Sequence, residues 1–304
     1  LNQDPAVFRA GAGYALAAFG FWGFVPIYYK MLDGVLPADV LAHRIVWTVV
    51  IGAVFLTARR DWPRLLPVIR CRRTMATLLL TALLVSTNWL VFIYAVDTDR
   101  VLDSSLGYYI NPLVNVLLGM TVLGERLNRA RIVAVLLAAA GTLNLALSIG
   151  RLPWIALTLG FSFGLYGLLR KRTDVPVLGG LFVETAFLFP LALGAIVWLG
   201  AHGQGAFLSG GSGLDLLLIA AGPVTMLPLL WFTQAARRLP LTILGLFQYL
   251  GPTLSFLLAV FVYDEPFTRA HAITFGCIWT GLAIFSADSF RQAQKIRRLS
   301  LGES

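Results

Sequence analysis

Long apolar blocks restrict the fold of this chain more than any motif in it. Read in windows of about 19 residues, they span approximately 7–31, 38–58, 74–96, 104–123, 128–148, 153–169, 178–200, 214–236, 241–263 and 268–288. A stretch of about 18 or more residues with few charges is a candidate membrane span. In lipid, only helices and closed barrels satisfy their own backbone, and blocks of this length predict helices. Composition agrees, since 58% of the 304 residues are hydrophobic and only 13% charged, against roughly 25% charged in an ordinary soluble domain. The expected fold class is an all-α integral membrane protein with ten transmembrane helices. The first block is too long for the apolar region of a cleavable signal and is expected to remain as a span.

The net charge of +9 does not point to nucleic acid, because the basic residues sit in short connections rather than on one amphipathic face. Nineteen of the 24 Lys and Arg residues fall on one side of the ten-block alternation, four (Lys30, Arg100, Arg151 and Arg269) on the other, and Arg44 lies inside a block. By the positive-inside rule the rich side is cytoplasmic and both termini face it. Cys71 and Cys277 have no metal-site or disulfide spacing, so neither a metal nor a disulfide framework is expected.

An internal repeat organises the blocks. "INPLVNVLLGMTVLGE", 110–125, aligns without a gap on "LGPTLSFLLAVFVYDE", 250–265, pairing Pro112 with Pro252 and Glu125 with Glu265. The same offset of 140 pairs Tyr109 with Tyr249, Gly141 with Gly281 and Arg44 with Glu184; one residue more pairs Trp22 with Phe163 and Lys30 with Lys171. Each copy holds five spans, so the second is expected upside down relative to the first, as in secondary transporters with a site at the repeat interface. The expected units are residues 7–148, residues 153–288 and a basic cytoplasmic tail, 289–304.

Polar residues inside the blocks are the site candidates. At 100° per residue, Ser104, Tyr108, Asn111, Asn115 and Gly119 share one stripe, echoed by Gly245, Gln248, Pro252 and Ser255. Lipid cannot satisfy an amide, so these faces are expected to line a central cavity, the alternative being hydrogen bonding between packed helices. Pro112 and Pro252 loosen the backbone at matching depths and are hinge or gate candidates. Arg44 and Glu184 are strongly charged residues well inside blocks. An unpaired charge there costs roughly 2.5–3.5 kcal/mol, so each is expected to have a partner: Asp97, Asp99 or Asp103 for Arg44, and Arg170, Lys171 or Arg237 for Glu184. Gate pairs, substrate anchors and plain structural pairs all fit. His43 is expected to pack, Glu125 and Glu265 to make helix-start or loop contacts, and Trp22, Asn88, Tyr166 and Gln234 complete the substrate-binding candidates.

The segments "SLGYYINPLVNVLLGMTVLGERL", "TNWLVFIYAV", "HRIVW" and "FQYLGPTLSFLLAV" resemble the RarD proteins, permeases of the drug/metabolite transporter superfamily with two EamA-type five-helix repeats, and the similarity runs from about Gly13 to Ala287. The resemblance implies a ten-helix permease of the bacterial inner membrane, with the fifth and tenth spans buttressing the cavity and contributing to a homodimer contact.

The expected function is a secondary transporter of a small polar or amphipathic organic solute, such as an amino acid or related metabolite; the alternative is a non-transporting membrane subunit or sensor. No nucleophile elbow or paired intramembrane Asp supports an enzyme, and no G-x-x-x-x-G-K-[ST] supports ATP-driven transport. No catalytic residue and no cofactor are expected, and the partners expected are the solute and the bilayer, with no nucleic acid.

Overall fold

The structure is a computed structural model that describes residues 5–98, 101–149, 154–209, 211–262 and 269–300. The described residues are helical throughout, apart from turns and short connections. The first half contributes α1 (Pro5–Lys30), α2 (Pro37–Ala58), α3 (Trp62–Arg70), α4 (Arg72–Asp97), α5 (Val101–Val122) and α6 (Arg129–Ile149). The second half contributes α7 (Trp154–Arg172), α8 (Val177–Ala201), α9 (Ser212–Arg238), α10 (Leu241–Gln248), α11 (Leu250–Phe261) and α12 (Arg269–Ser300). Among the described residues, eight stretches are long and apolar enough to cross a membrane, and Leu106–Val122 of α5 is a shorter apolar helix.

Two elements differ from the sequence expectation. The basic connection after α2 contains the short amphipathic helix α3, which buries Leu65 and Val68 against Leu56, Leu78 and Val183 while Leu66 and Ile69 remain exposed. A window wide enough to find a span averages this helix with its arginines and hides it. The expected ninth span is broken at Tyr249 between α10 and α11. Pro252 accounts for the break, because it has no N–H to donate to Gln248 four residues earlier and its ring clashes with that carbonyl. Pro112, its sequence twin, sits inside a continuous α5.

Packing runs mainly between the halves. Helix α1 lies on α9, α10 and α11; α2 on α8 and α9; α4 on α7 and α8; α5 on α7 and α10; and α6 on α12. The outward face of α6 exposes Leu136, Leu143 and Leu147, an apolar surface of the kind a bilayer covers. At the α6–α12 contact the backbones come close, since a Cβ on Gly141 would stand 2.8 Å from the Thr274 carbonyl oxygen and one on Gly281 2.8 Å from that of Ala134. Close approach lets Thr274 Oγ1 donate to Gly141 O (3.0 Å) and Asn144 Nδ2 to Ala270 O (3.1 Å). Small residues at membrane helix contacts act in this way.

Charged side chains cap helix ends, one across the halves and one within the second half. The Glu125 carboxylate, following α5, accepts from the backbone N–H groups of Leu241 (2.7 Å) and Thr242 (2.8 Å) at the start of α10. Lys171 Nζ donates to the carbonyls of Ala236 (2.8 Å) and Leu239 at the end of α9. Both contacts place a charge where the helix dipole favours it. Glu265 lies outside the described residues.

Gly141→Ala and Gly281→Ala are expected to destabilise the protein in detergent by about 1–3 kcal/mol each through overpacking. Gly276→Ala, where a Cβ meets nothing within 4 Å, leaves the unfolding temperature unchanged or raised. Scanning fluorimetry on the three variants checks this.

Candidate functional site

Helix α7 sets the geometry of the interior because one of its faces is nearly bare. A Cβ on Gly160 would lie 2.8 Å from Ile110 Cγ2, one on Gly164 2.7 Å from Val114 Cγ1, and one on Gly167 3.0 Å from Phe232 Cζ. Glycine there lets α5 and α9 approach the α7 backbone, which brings polar groups of α5 within reach of its carbonyls.

Asn111, Asn115 and Gln248 use that approach. Asn111 Nδ2 donates to Gly160 O (2.9 Å), Gln248 Nε2 to Asn111 Oδ1 (2.5 Å), and Asn115 Nδ2 to Gln248 Oε1. All three are buried, Asn115 completely. The polar stripe therefore does not face a single open space. Its amides form a closed knot joining α5, α7 and α10, while Tyr108 remains 51% exposed. The twin stripe meets it: a Cβ on Gly245 would stand 2.6 Å from Pro112 O, and Ser255 Oγ donates to Gly23 O on α1 (3.1 Å). The side chain of Ser104 lies outside the described residues.

Beside the knot, aromatic rings from α1, α7 and α9 form a cluster. Trp22 lies 5.8 Å from Phe163 and 6.0 Å from Phe232, and Phe163 lies 5.7 Å from Tyr166, between ring centroids. Tyr166 leads to the buried charge, its hydroxyl donating to Glu184 Oε2 at 3.4 Å. The other carboxylate oxygen accepts from Thr81 Oγ1 (2.6 Å) and lies 3.4 Å from Arg170 Nη1. Both charged side chains are sealed, at 0% exposure for Arg170 and 1% for Glu184. Arg170 Nη2 also donates to Val177 O (3.2 Å), whereas its Nε and Nη1 have no hydrogen-bond acceptor. Gly180 makes the room, because a Cβ there would stand 2.3 Å from Arg170 Nη1.

Arg44 has a different environment. Its Nε donates to Thr225 Oγ1 on α9 (3.0 Å), and its guanidinium carbon lies 4.9 Å from the Trp89 ring centroid and 6.0 Å from that of Tyr29. The side chains of Asp97, Asp99 and Asp103 lie outside the described residues. Neighbouring His43 is buried 3.5 Å from Asp39, with Trp47 Nε1 donating to its Nδ1 (3.2 Å). Asn88 bridges α4 to α7 through Leu159 O (2.9 Å) and Ser162 Oγ (3.0 Å). Gln234 stands apart, bonded to Arg238 one turn later.

Sequence reasoning did not single out Thr81, Thr225 and Phe232, which look like ordinary membrane residues, noted Phe163 only as the repeat counterpart of Trp22, and weighed Arg170 only as one of three candidate partners beside Lys171 and Arg237. The repeat carried a usable signal. Its offset of 141 places Arg170 opposite Tyr29, so the residue beside Glu184 is the counterpart of one beside Arg44.

Fold and site define a multi-pass integral membrane protein whose halves meet through buried polar contacts. The EamA-like transporter family model matches residues 9–147. The chain is 47% identical to an uncharacterized transporter of Vibrio cholerae, over 98% of this chain and 99% of that one. It is 44% identical to Protein RarD of Escherichia coli K12, over 94% and 97%. A solved crystal structure with 18% identity superposes with a TM-score of 0.70, covering 91% of this chain and 97% of its own, and shares the fold. This protein belongs to the RarD group of EamA-like transporters, within the drug/metabolite transporter superfamily.

Breaking a buried ion pair from one side leaves the other charge uncompensated. Arg170→Met or Glu184→Leu alone is expected to destabilise the protein by about 3–5 kcal/mol, and Arg170→Met/Glu184→Leu to recover most of that loss. Unfolding in detergent by heat or denaturant checks it; a double variant as unstable as the singles would show that the two charges do not stabilise each other.

Proposed function

We propose that the protein is a secondary transporter that moves a small polar or amphipathic organic solute, such as an amino acid or related metabolite, by alternating access. The observation that carries this reading is the pairing of helices. Contact of α1 with α10 and α11 has its counterpart in α7 with α5; α1 with α9 in α7 with α4; and α2 with α9 in α8 with α4. The contacts α2–α8, α5–α10 and α6–α12 are their own counterparts. A chain of two inverted five-span units, 7–148 and 153–288, accounts for this scheme, with α10 and α11 together forming one of ten spans. Rocking of one unit against the other about a central site then alternates access.

The bias of Lys and Arg between alternate connections supports cytoplasmic termini in a bacterial inner membrane, and the RarD relatives support a transporter rather than an enzyme. In this scheme the α5–α10 amide knot joins the two units and must rearrange when they rock. Glu184 is held by Arg170, Thr81 and Tyr166, which favours exchange or facilitated diffusion over proton coupling. The outward leucines of α6 fit lipid or a homodimer contact equally.

Proteoliposomes loaded with the purified chain and given labelled amino acids and related metabolites test the reading. Saturable uptake of at least one solute is expected, insensitive to an imposed proton gradient and reduced about tenfold by Asn111→Ala, equivalent to about 1.4 kcal/mol on the barrier. No uptake of any solute by the wild type would sink the transporter reading; unchanged uptake by Asn111→Ala would return the amide knot to simple packing.

A further inference from the structure

We infer that Arg44 is an anchor for a solute carboxylate, held in place by Thr225 and by the face of Trp89. The inference rests on the transporter reading above for its setting, and on the surroundings of one guanidinium for its content. Arg44 lies within α2, half-buried, and its Nε is fixed by Thr225 Oγ1 at 3.0 Å. Among the described residues no carboxylate pairs with it and no acceptor bonds either Nη. Those atoms are not sealed either, since the buried polar atoms without partners belong to His43, Asn115 and Arg170. The pair of N–H groups that forms a bidentate contact with an oxyanion is therefore preset in direction and unoccupied by any described residue.

The neighbours fit the same ligand. The Tyr29 ring centroid lies 6.0 Å from the Arg44 guanidinium carbon, and its hydroxyl donates to no described residue, which leaves it available to an anion. Tyr28 is not, because its hydroxyl is spent on Leu217 O at 2.9 Å. The buried Trp89 ring, 4.9 Å from the guanidinium carbon, holds the cation by its face. One guanidinium balances one negative charge, so a monocarboxylate is matched where a phosphate dianion leaves charge over.

The contrast with the other half sharpens this assignment. Glu184, the repeat counterpart of Arg44, has its cation in Arg170 3.4 Å away. At the equivalent place beside Arg44 stands Tyr29, which carries no charge to offer. Among the described residues the ion pair is complete in one half, and in the other the partner's place falls to a solute.

The test uses the full chain in lipid nanodiscs, with tryptophan fluorescence titrated by 3-phenylpropionate, its neutral amide 3-phenylpropanamide, L-phenylalanine and inorganic phosphate. Expected is a saturable response to the acid at least tenfold tighter than to the amide or to phosphate. Arg44→Gln abolishes the difference between acid and amide, and Arg44→Lys restores part of it. Should Arg44→Gln fail to fold, Thr225→Val, which only frees Nε, is expected to weaken the acid about three- to tenfold while leaving the amide unchanged. No saturable response to the acid, an amide or phosphate that binds as well, or a variant that keeps the full preference would each overturn the inference. Failure of the transporter reading is separable: acid binding without uptake into proteoliposomes sinks that reading alone, and uptake without acid-over-amide preference sinks this one alone.

Discussion

Hydrocarbon offers no hydrogen bonds, so a polar atom within a membrane span has to find its partner in protein or in a water-filled recess. Most of the interior of this chain follows from that constraint. Asparagines reach carbonyls of α7, Lys171 takes the free carbonyls ending α9, and Glu125 takes the free N–H groups starting α10. Each of these contacts joins the first half of the chain to the second or closes an end within it. The same constraint explains why Arg170 turns inward although its neighbours Lys171 and Arg172 sit less deeply: a carboxylate as deep as Glu184 would otherwise be alone. It also makes Arg44 conspicuous, as a charged side chain whose outer edge no described residue answers.

The all-helical membrane class was legible in the sequence because it depends on a quantity that adds along the chain, the length of apolar stretches. What failed to show was local or relational. The amphipathic helix α3 is too short for a spanning window, and the break at Tyr249 comes from a proline whose twin, Pro112, leaves its own helix unbroken, so the outcome depends on neighbours rather than on residue type. The stripe containing Asn111 and Asn115 was visible as a stripe, but whether its amides met water or one another depended on how near α7 came. That distance was set by glycines in a different block, Gly160 and Gly164.

The two halves use matching positions for different purposes. Arg44 and Glu184 correspond, and each has a threonine from a helix of the neighbouring layer, Thr225 or Thr81, within hydrogen-bond distance. Beyond that the halves part: one position is closed by an ion pair shielded from solvent, the other is flanked by the rings of Trp89 and Tyr29. Opposite charges at positions that the sequence repeat pairs give the two halves different chemistry.

The contact of Glu125 with the start of α10 also bears on how the protein is made. Its acceptor groups are complete only when Leu241, 116 residues later, has been synthesised and inserted. Until then the carboxylate has to stay with lipid headgroups or water at the membrane surface, and the early helices stand in the bilayer without the neighbours that fill their inner faces. Arrival of α10 therefore completes the older part of the molecule as well as the newer one, and ties the order of insertion to the order of packing.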